Sequence, residues 1–178
     1  MKTLLILRHA KSDRSDTALH DHDRPLASRG EADAPLIGAA LAALAATPDC
    51  IVTSTAVRAR ETARLIAAAM AYDGPIIERD AVYGASVAAL LDALRECGPD
   101  DAAVLLVGHN PGLEELAALL TGGAAAQPIV RLPTAALARI ALDIDNWPAI
   151  HAACGQLEWL LTPRVLRPLM HAPRHSDV

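Results

Sequence analysis

Three short stretches, far apart in the chain, carry residue types that can grip and attack an anion: Arg8-His9, Ser54-Thr55-Ala56-Val57-Arg58 and Gly108-His109-Asn110-Pro111. A guanidinium presents forked N–H donors that match the oxygens of a phosphoryl group, which carries about two negative charges near neutral pH. An imidazole has a reference pKa of about 6.5, so much of it is neutral and nucleophilic at pH 7. Two guanidiniums and a second imidazole would supply fixed positive donors to the charge that spreads over the equatorial oxygens during transfer. Such a step needs no metal and no cofactor. Each stretch alone has a plainer reading. Arg8-His9 could be a hydrogen-bonded pair, Arg58 with Arg60 and Arg64 a solvated helix face, and Gly108 to Pro111 a tight turn. Their order and placement together point to the anion chemistry.

The elements that must position these residues are legible from periodicity. Residues 3–7 form a compact apolar run that reads as a buried strand ending at Arg8-His9. Residues 10–27 are polar and too long for a mere connection. Ser28-Arg29-Gly30-Glu31 has capping-box spacing before an Ala/Leu-rich helix reaching about residue 47, which Pro35 should delay or kink. Residues 50–53 read as a strand, and Ser54 or Thr55 as the cap of a helix running to Met70. A short strand at 75–78, a helix at 86–97 and the clearest buried strand at 102–107 follow. Asn110-Pro111 then predicts a capped helix, with proline at its first position, to about residue 120. Residues 134–143 and 156–162 read as later strands that can run antiparallel to the rest.

Alternation of this kind predicts one α/β domain over residues 1–163, a three-layer α/β/α sandwich around a mostly parallel sheet, followed by a tail at 164–178 that is loose or packs only in part. In such sheets ligands gather at the carboxyl ends of the parallel strands, where all three stretches fall. The chain has 178 residues, enough to bury a sizeable core. With 2% aromatic residues and no Phe, that core must be built from Ala, Leu, Ile and Val. A formal net charge of −5 without a basic run argues against nucleic acid as a partner. The apolar run before Arg8 is too short for a membrane span or a signal sequence, so a cytoplasmic location is expected. The three cysteines lack metal or disulfide spacing and read as reduced, mostly buried thiols.

Taken as a set, Leu5-Ile6-Leu7-Arg8-His9-Ala10, Ser54 to Ala63 and Val107-Gly108-His109-Asn110-Pro111 resemble the histidine phosphatase superfamily. The short length and Asp23-Arg24-Pro25-Leu26-Ala27-Ser28-Arg29-Gly30 are similar to its small phosphohistidine phosphatase branch, the SixA type. The resemblance implies a phosphoglycerate mutase-like fold. It implies that His9 becomes phosphohistidine, that Arg8 and Arg58 bind the phosphoryl oxygens, and that His109 completes the pocket. Asn110 would add a polar contact or cap its helix, the cap being favoured. Ala10 stands where the superfamily commonly has Gly, which should narrow the pocket slightly.

Larger relatives carry a carboxylate proton donor in a segment that here falls on residues 80–86. Asp80 is early and Tyr83 is no equivalent, which leaves Asp13, Asp21 or Asp23 of the first loop as candidates to swing in. A general acid typically contributes about 10²–10⁴-fold to expelling an alkoxide, whereas imidazole leaves more easily because its conjugate acid titrates near neutrality. The absence favours phosphohistidine on a protein as substrate, by a monomer or weak dimer, over a small phosphometabolite. Two other classes fit parts of the sequence: a metal-binding protein using His20, Asp21, His22 and Asp23, and a binding module without turnover. His151, His171 and His175 have no evident partner, and Asp33, Glu61 and Glu114 fit helix-turn or surface roles.

Overall fold

A computed structural model describes residues 1–123, 127, 128 and 130–170. Six strands form one sheet in the order β3-β2-β4-β1-β5-β6. They are β1 (Lys2–Arg8), β2 (Cys50–Ser54), β3 (Ile76–Arg79), β4 (Ala103–Gly108), β5 (Leu137–Leu142) and β6 (Gly155–Leu161). The first four are mutually parallel. β5 joins β1 antiparallel, and β6 joins β5 antiparallel.

The apolar runs form strands because the sheet is covered on both faces, so β1, β2 and β4 need no polar side to show to water. Alternation then sorts their side chains. Leu4, Ile6, Val52 and Leu106 point into one layer with α3 (Val87–Arg95), α4 (Gly112–Gly122) and the buried Trp147. Leu5, Leu7, Ile51, Leu105 and Val107 point into the other, against α1 (Ser28–Ala43), α2 (Val57–Ala69) and α5 (Pro163–Met170). The core is aliphatic, as the composition requires, and the sandwich has the three layers expected of it. Among the described residues no helix is long and apolar enough to cross a membrane.

Several local expectations need correction. α1 starts on time at Ser28 and continues through Pro35, which leaves a helical N–H missing without ending the helix, and its N-cap is Ala27 with no side-chain cap, so the capping box does not form. α2 is preceded by Ala56 at its N-cap, because Ser54 and Thr55 are committed to other partners described below. The packed part of the expected tail is its opening, which folds as α5. Leu166 is buried in the α1 layer, and Arg167 donates to the buried carboxylate of Asp33, which also pairs with Arg29. A buried carboxylate needs such partners, and supplying one fastens α5 to α1. His171, His175 and the remaining end of that expected tail lie outside the described residues.

Small residues let the helices approach closely. A Cβ on Gly38 would stand 2.5 Å from the Ile66 carbonyl oxygen and 2.7 Å from the Ala69 Cβ. Replacing Gly38 by Val should therefore force α1 and α2 apart and lower stability by about 1–3 kcal/mol. Urea unfolding should show this as a lower midpoint with an unchanged slope, the folded fraction keeping its activity.

Candidate active site

The parallel register brings the site together. Arg8 of β1 stands opposite Gly108 of β4, so the residues that follow, His9 and His109, emerge side by side with ring centroids 5.0 Å apart. Thr53 of β2 stands opposite Val107, which sets Ser54 beside them. α2 starts three residues later and carries Arg58 in its first turn, where the helix end adds partial positive charge.

His9 is 8% exposed and its ring is held at both nitrogens. Nδ1 lies 2.7 Å from the Ala10 carbonyl oxygen, an acceptor only, so Nδ1 carries the proton and donates it. Nε2 is left with its lone pair, which accepts from Arg58 Nε at 3.2 Å. Burial, reinforced by Arg58 and Arg8, pushes the His9 pKa down to about 4 against the upward pull of the Ala10 hydrogen bond. His109 is fixed in the same manner. Its Nδ1 accepts from Arg58 Nη2 at 3.3 Å, and its Nε2 donates to Ser54 Oγ at 2.8 Å. Burial, then its neighbours His9 and Arg58, push it down to about 3. Both imidazoles are therefore neutral in the free protein at pH 7.

Arg58 is itself buried, 6% exposed, and joins three chain segments. One edge of its guanidinium faces the two imidazoles; the other donates to Asp21 of the 10–27 loop, through Nη1 to the carbonyl oxygen and through Nη2 to Oδ2 at 2.8 Å. Tyr83 also donates to Asp21 Oδ2, at 3.0 Å, and Arg24 donates to Oδ1 at 2.8 Å. Arg8 reaches the same cavity from β1 and spends Nη1 on the Leu132 carbonyl at 2.8 Å. Its backbone is braced by Ala135, whose φ of 58° lies in the left-handed region and whose N–H faces the carbonyls of Arg8 and His9. The resulting cavity, of about 290 Å³, is also lined by Lys11, Ser12, Arg14, Gly84, Asn110 and Thr134. Five cationic side chains surround it against the single carboxylate of Asp21.

The four residues singled out first, Arg8, His9, Arg58 and His109, thus meet in one cavity. Asn110 lines it too, in a different role from the expected cap. Its bond to Pro111 is cis, and the helix begins at Gly112 with Pro111 as N-cap. Its two amide N–H donors go to Glu114 Oε1 (2.8 Å) and the Leu132 carbonyl (2.9 Å), so none remains for a bound oxyanion. Ala10 does not narrow the cavity: it is buried in the α1 layer, among the described residues it is not one with positive φ, and it lines no part of the site.

Of the loop carboxylates only Asp21 reaches the cavity. Asp13 closes a local turn with the Ser15 N–H, and Asp23 pairs with His22. His22 in turn meets Thr55 Oγ1 at 3.1 Å and the Tyr83 ring. The His20–Asp23 group does not form a metal cluster; among the described residues no three His, Cys, Asp or Glu side chains are so grouped. Three carboxylates expected at surfaces or helix turns prove structural. Asp33 is the anchor of α5, Glu61 accepts the Leu26 N–H, and the buried Glu114 gathers Leu132 N–H, Asn110 and Arg131. Sequence reasoning missed Ser54 and Thr62 as members of the site. Thr62 Oγ1 donates to the Arg58 carbonyl at 2.6 Å and accepts the Ala10 N–H at 3.0 Å, tying the residue after His9 to the helix of Arg58. The only available signal was its position four residues after Arg58, on the same helix face.

Comparisons with known proteins agree with this geometry. The family model for the histidine phosphatase superfamily (branch 1) matches residues 4–83. A Mycobacterium tuberculosis protein of uncharacterized function is 34% identical over 164 residues, 89% of this chain and 100% of the relative. The structure assigned as the phosphohistidine phosphatase SixA of Agrobacterium tumefaciens superposes with a TM-score of 0.75 at 29% identity, covering 91% of this chain and 98% of that one. The chain belongs to the histidine phosphatase superfamily. Within it the similarity is to the SixA-type branch, and the chain is a phosphatase of that superfamily. A protein histidine phosphatase SixA solved with tungstate shares the fold, with a TM-score of 0.79 at 21% identity over 93% of this chain and 99% of that one.

The depressed imidazoles have a measurable consequence. An unfolded histidine titrates near about 6.5, whereas folded His9 titrates only near about 4. The unfolded chain thus binds more protons between these values, and stability rises with pH across that window. On acidification from pH 7 to pH 5 the His9 contribution should amount to a loss of about 2 kcal/mol. A His9→Asn variant should show a correspondingly flatter dependence of urea midpoint on pH.

Proposed function

We propose that this phosphatase works through a covalent phosphohistidine on His9 and that its substrate is phosphohistidine carried by a protein. The observation that carries the reading is the state of His9: its Nδ1 proton is held by the Ala10 carbonyl, and its bare Nε2 faces the donors of Arg58 inside a cationic cavity. Arg8, Arg58 and His109 surround the space in front of Nε2, where a phosphoryl group would sit.

In the first step the Nε2 lone pair attacks phosphorus as the bond from phosphorus to the substrate imidazole breaks, its electron pair staying on the leaving nitrogen. The Arg58 donors now spent on the two imidazoles turn to the phosphoryl oxygens. His109, whose Nδ1 is a neutral acceptor toward Arg58 in the free protein, lines the other wall of that space. Water then attacks phospho-His9 and releases inorganic phosphate, restoring the bare nitrogen. Asn110 acts in this reading by holding the segment at 131–132 against α4, and with it the carbonyl to which Arg8 is tied. No step calls for a metal, because guanidinium and imidazole donors supply the charge stabilisation.

The substrate class follows from what the cavity offers as acid. Both imidazoles are neutral, Asp21 is ionised, and Tyr83, whose pKa is raised by burial and by Asp21, already donates its proton to that carboxylate. Such a site is poorly equipped to protonate an alkoxide and well suited to a leaving group that departs as neutral imidazole.

The test is incubation with a phosphorylated histidine protein and a panel of phosphometabolites. Phosphohistidine turnover should exceed that of the metabolites, and His9→Ala should lose activity by several orders of magnitude while unfolding at a normal urea midpoint. Rapid acid-free quenching with labelled substrate should trap label on the wild-type protein and none on the variant. Full activity in His9→Ala would remove His9 from the chemistry; a strong preference for sugar or glycerate phosphates would remove phosphohistidine as the substrate.

A further inference from the structure

The cavity contains one carboxylate, Asp21, and that carboxylate is set in an unusual way. Oδ2 accepts from Arg58 Nη2 and from the Tyr83 hydroxyl, while Oδ1 accepts from Arg24 Nη1. Three of roughly four lone-pair directions are thereby filled, and one on Oδ1 is left open. The side chain is 55% exposed although its partner Arg58 is buried, so it stands at the rim and not at the floor. Its neighbours Arg58, Arg24 and Tyr83 all donate to it, which holds it ionised: its pKa is lowered despite the opposing effect of burial.

An anion at the rim of an anion pocket would repel its own substrate unless the substrate brought a compensating donor. A phosphomonoester brings none on its leaving side. A phosphorylated imidazole does once it is protonated: its ring, which titrates near neutrality, then carries phosphorus on one nitrogen and an N–H on the other and is cationic.

We propose that Asp21 is the specificity-determining residue of this phosphatase, accepting the free ring N–H of the departing imidazole through Oδ1. The assignment rests on the reading of His9 as nucleophile and of phosphohistidine as substrate, and it adds the group that recognises the leaving side. The step balances without a proton from the enzyme. The His9 Nε2 lone pair forms the new N–P bond. The substrate P–N bond breaks with its electron pair remaining on the leaving nitrogen, and the other ring nitrogen keeps its hydrogen, so the product is neutral imidazole. The arrangement is symmetric about phosphorus. On the enzyme side the ring that receives phosphorus has its second N–H on the Ala10 carbonyl; on the substrate side the ring that loses phosphorus has its second N–H on Asp21. The titratable and charged groups facing Asp21 are Arg58, Arg24, Tyr83, His9 and His109, none of which competes as an anion.

Holding Arg58 is a separate duty of the same residue, and the Asp21 backbone carbonyl performs part of it. An Asp21→Asn substitution keeps that carbonyl and an amide oxygen for Arg58 while removing the charge. The experiment compares kcat/KM of wild type and Asp21→Asn on phosphoimidazole and on p-nitrophenyl phosphate, whose leaving group needs neither a proton nor an acceptor. A charge-assisted hydrogen bond is worth enough that the ratio of the two values should fall about 10- to 100-fold in the variant. Tyr83→Phe, which leaves the carboxylate in place, should shift that ratio less than threefold. Equal losses on both substrates in Asp21→Asn would reduce Asp21 to a support for Arg58 and overturn the assignment. So would an unchanged ratio. Failure of the underlying reading looks different: wild-type protein would then hydrolyse p-nitrophenyl phosphate while leaving phosphoimidazole untouched.

Discussion

A buried guanidinium cannot stay unpartnered, and the arrangement of this molecule around Arg58 follows from that demand. Its N–H groups point in several directions and are met from three parts of the chain: by His9 after β1, by His109 after β4, and by Asp21 from the long first loop. The two imidazoles beside it are neutral first because they are buried, and then because a cation already stands next to them. The free protein therefore resolves its own electrostatics by presenting lone pairs to Arg58, and under the proposed mechanism an incoming phosphoryl group would replace those lone pairs with better acceptors. Affinity for an oxyanion and restraint of His9 would then arise from one set of contacts.

The sheet supplies the precision that such a set requires. β1 lies between β4 and β5, hydrogen-bonded on both sides up to its last residues, where Arg8 N–H meets Ala136 and His9 N–H meets Gly108. Parallel pairing with β4 then makes the neighbourhood of His9 and His109 a matter of register and not of loop conformation. Ala135 adds a strained φ beside that strand end. Local strain of this kind persists where surrounding contacts over-determine it, and here the contacts are with the carbonyls on either side of the Arg8–His9 peptide.

Much of this was legible in the sequence because strong patterns carried it. Unbroken apolar runs located β1, β2 and β4, and the residues at their ends named the four side chains of the cavity. What could not be read depended on partners distant in the chain. Ser54 looked like a helix cap because nothing local reveals that His109 will stand 2.8 Å away. Asn110 looked like a cap for the same reason, its amide being claimed by Glu114 and by Leu132 from a later segment. The segment at 164–170 looked loose because its anchor, Asp33, lies in α1, far back in the chain. Asp21 stood among three equivalent acids until the position of Arg58 selected one. Periodicity reports which face of an element is covered; it does not report what covers it.

The first loop and the strand ends divide the work unequally. The group that would attack, and the donors that would receive charge, are fixed by backbone ladders, while Asp21, Arg24, Lys11 and Arg14 reach the cavity from a stretch bound mainly by side chains. Such a division makes the fold a chassis whose clientele can drift. Exchanges between residues 10 and 27 would alter which molecules are welcomed at the entrance, provided the loop keeps Asp21 where its carbonyl and carboxylate hold Arg58.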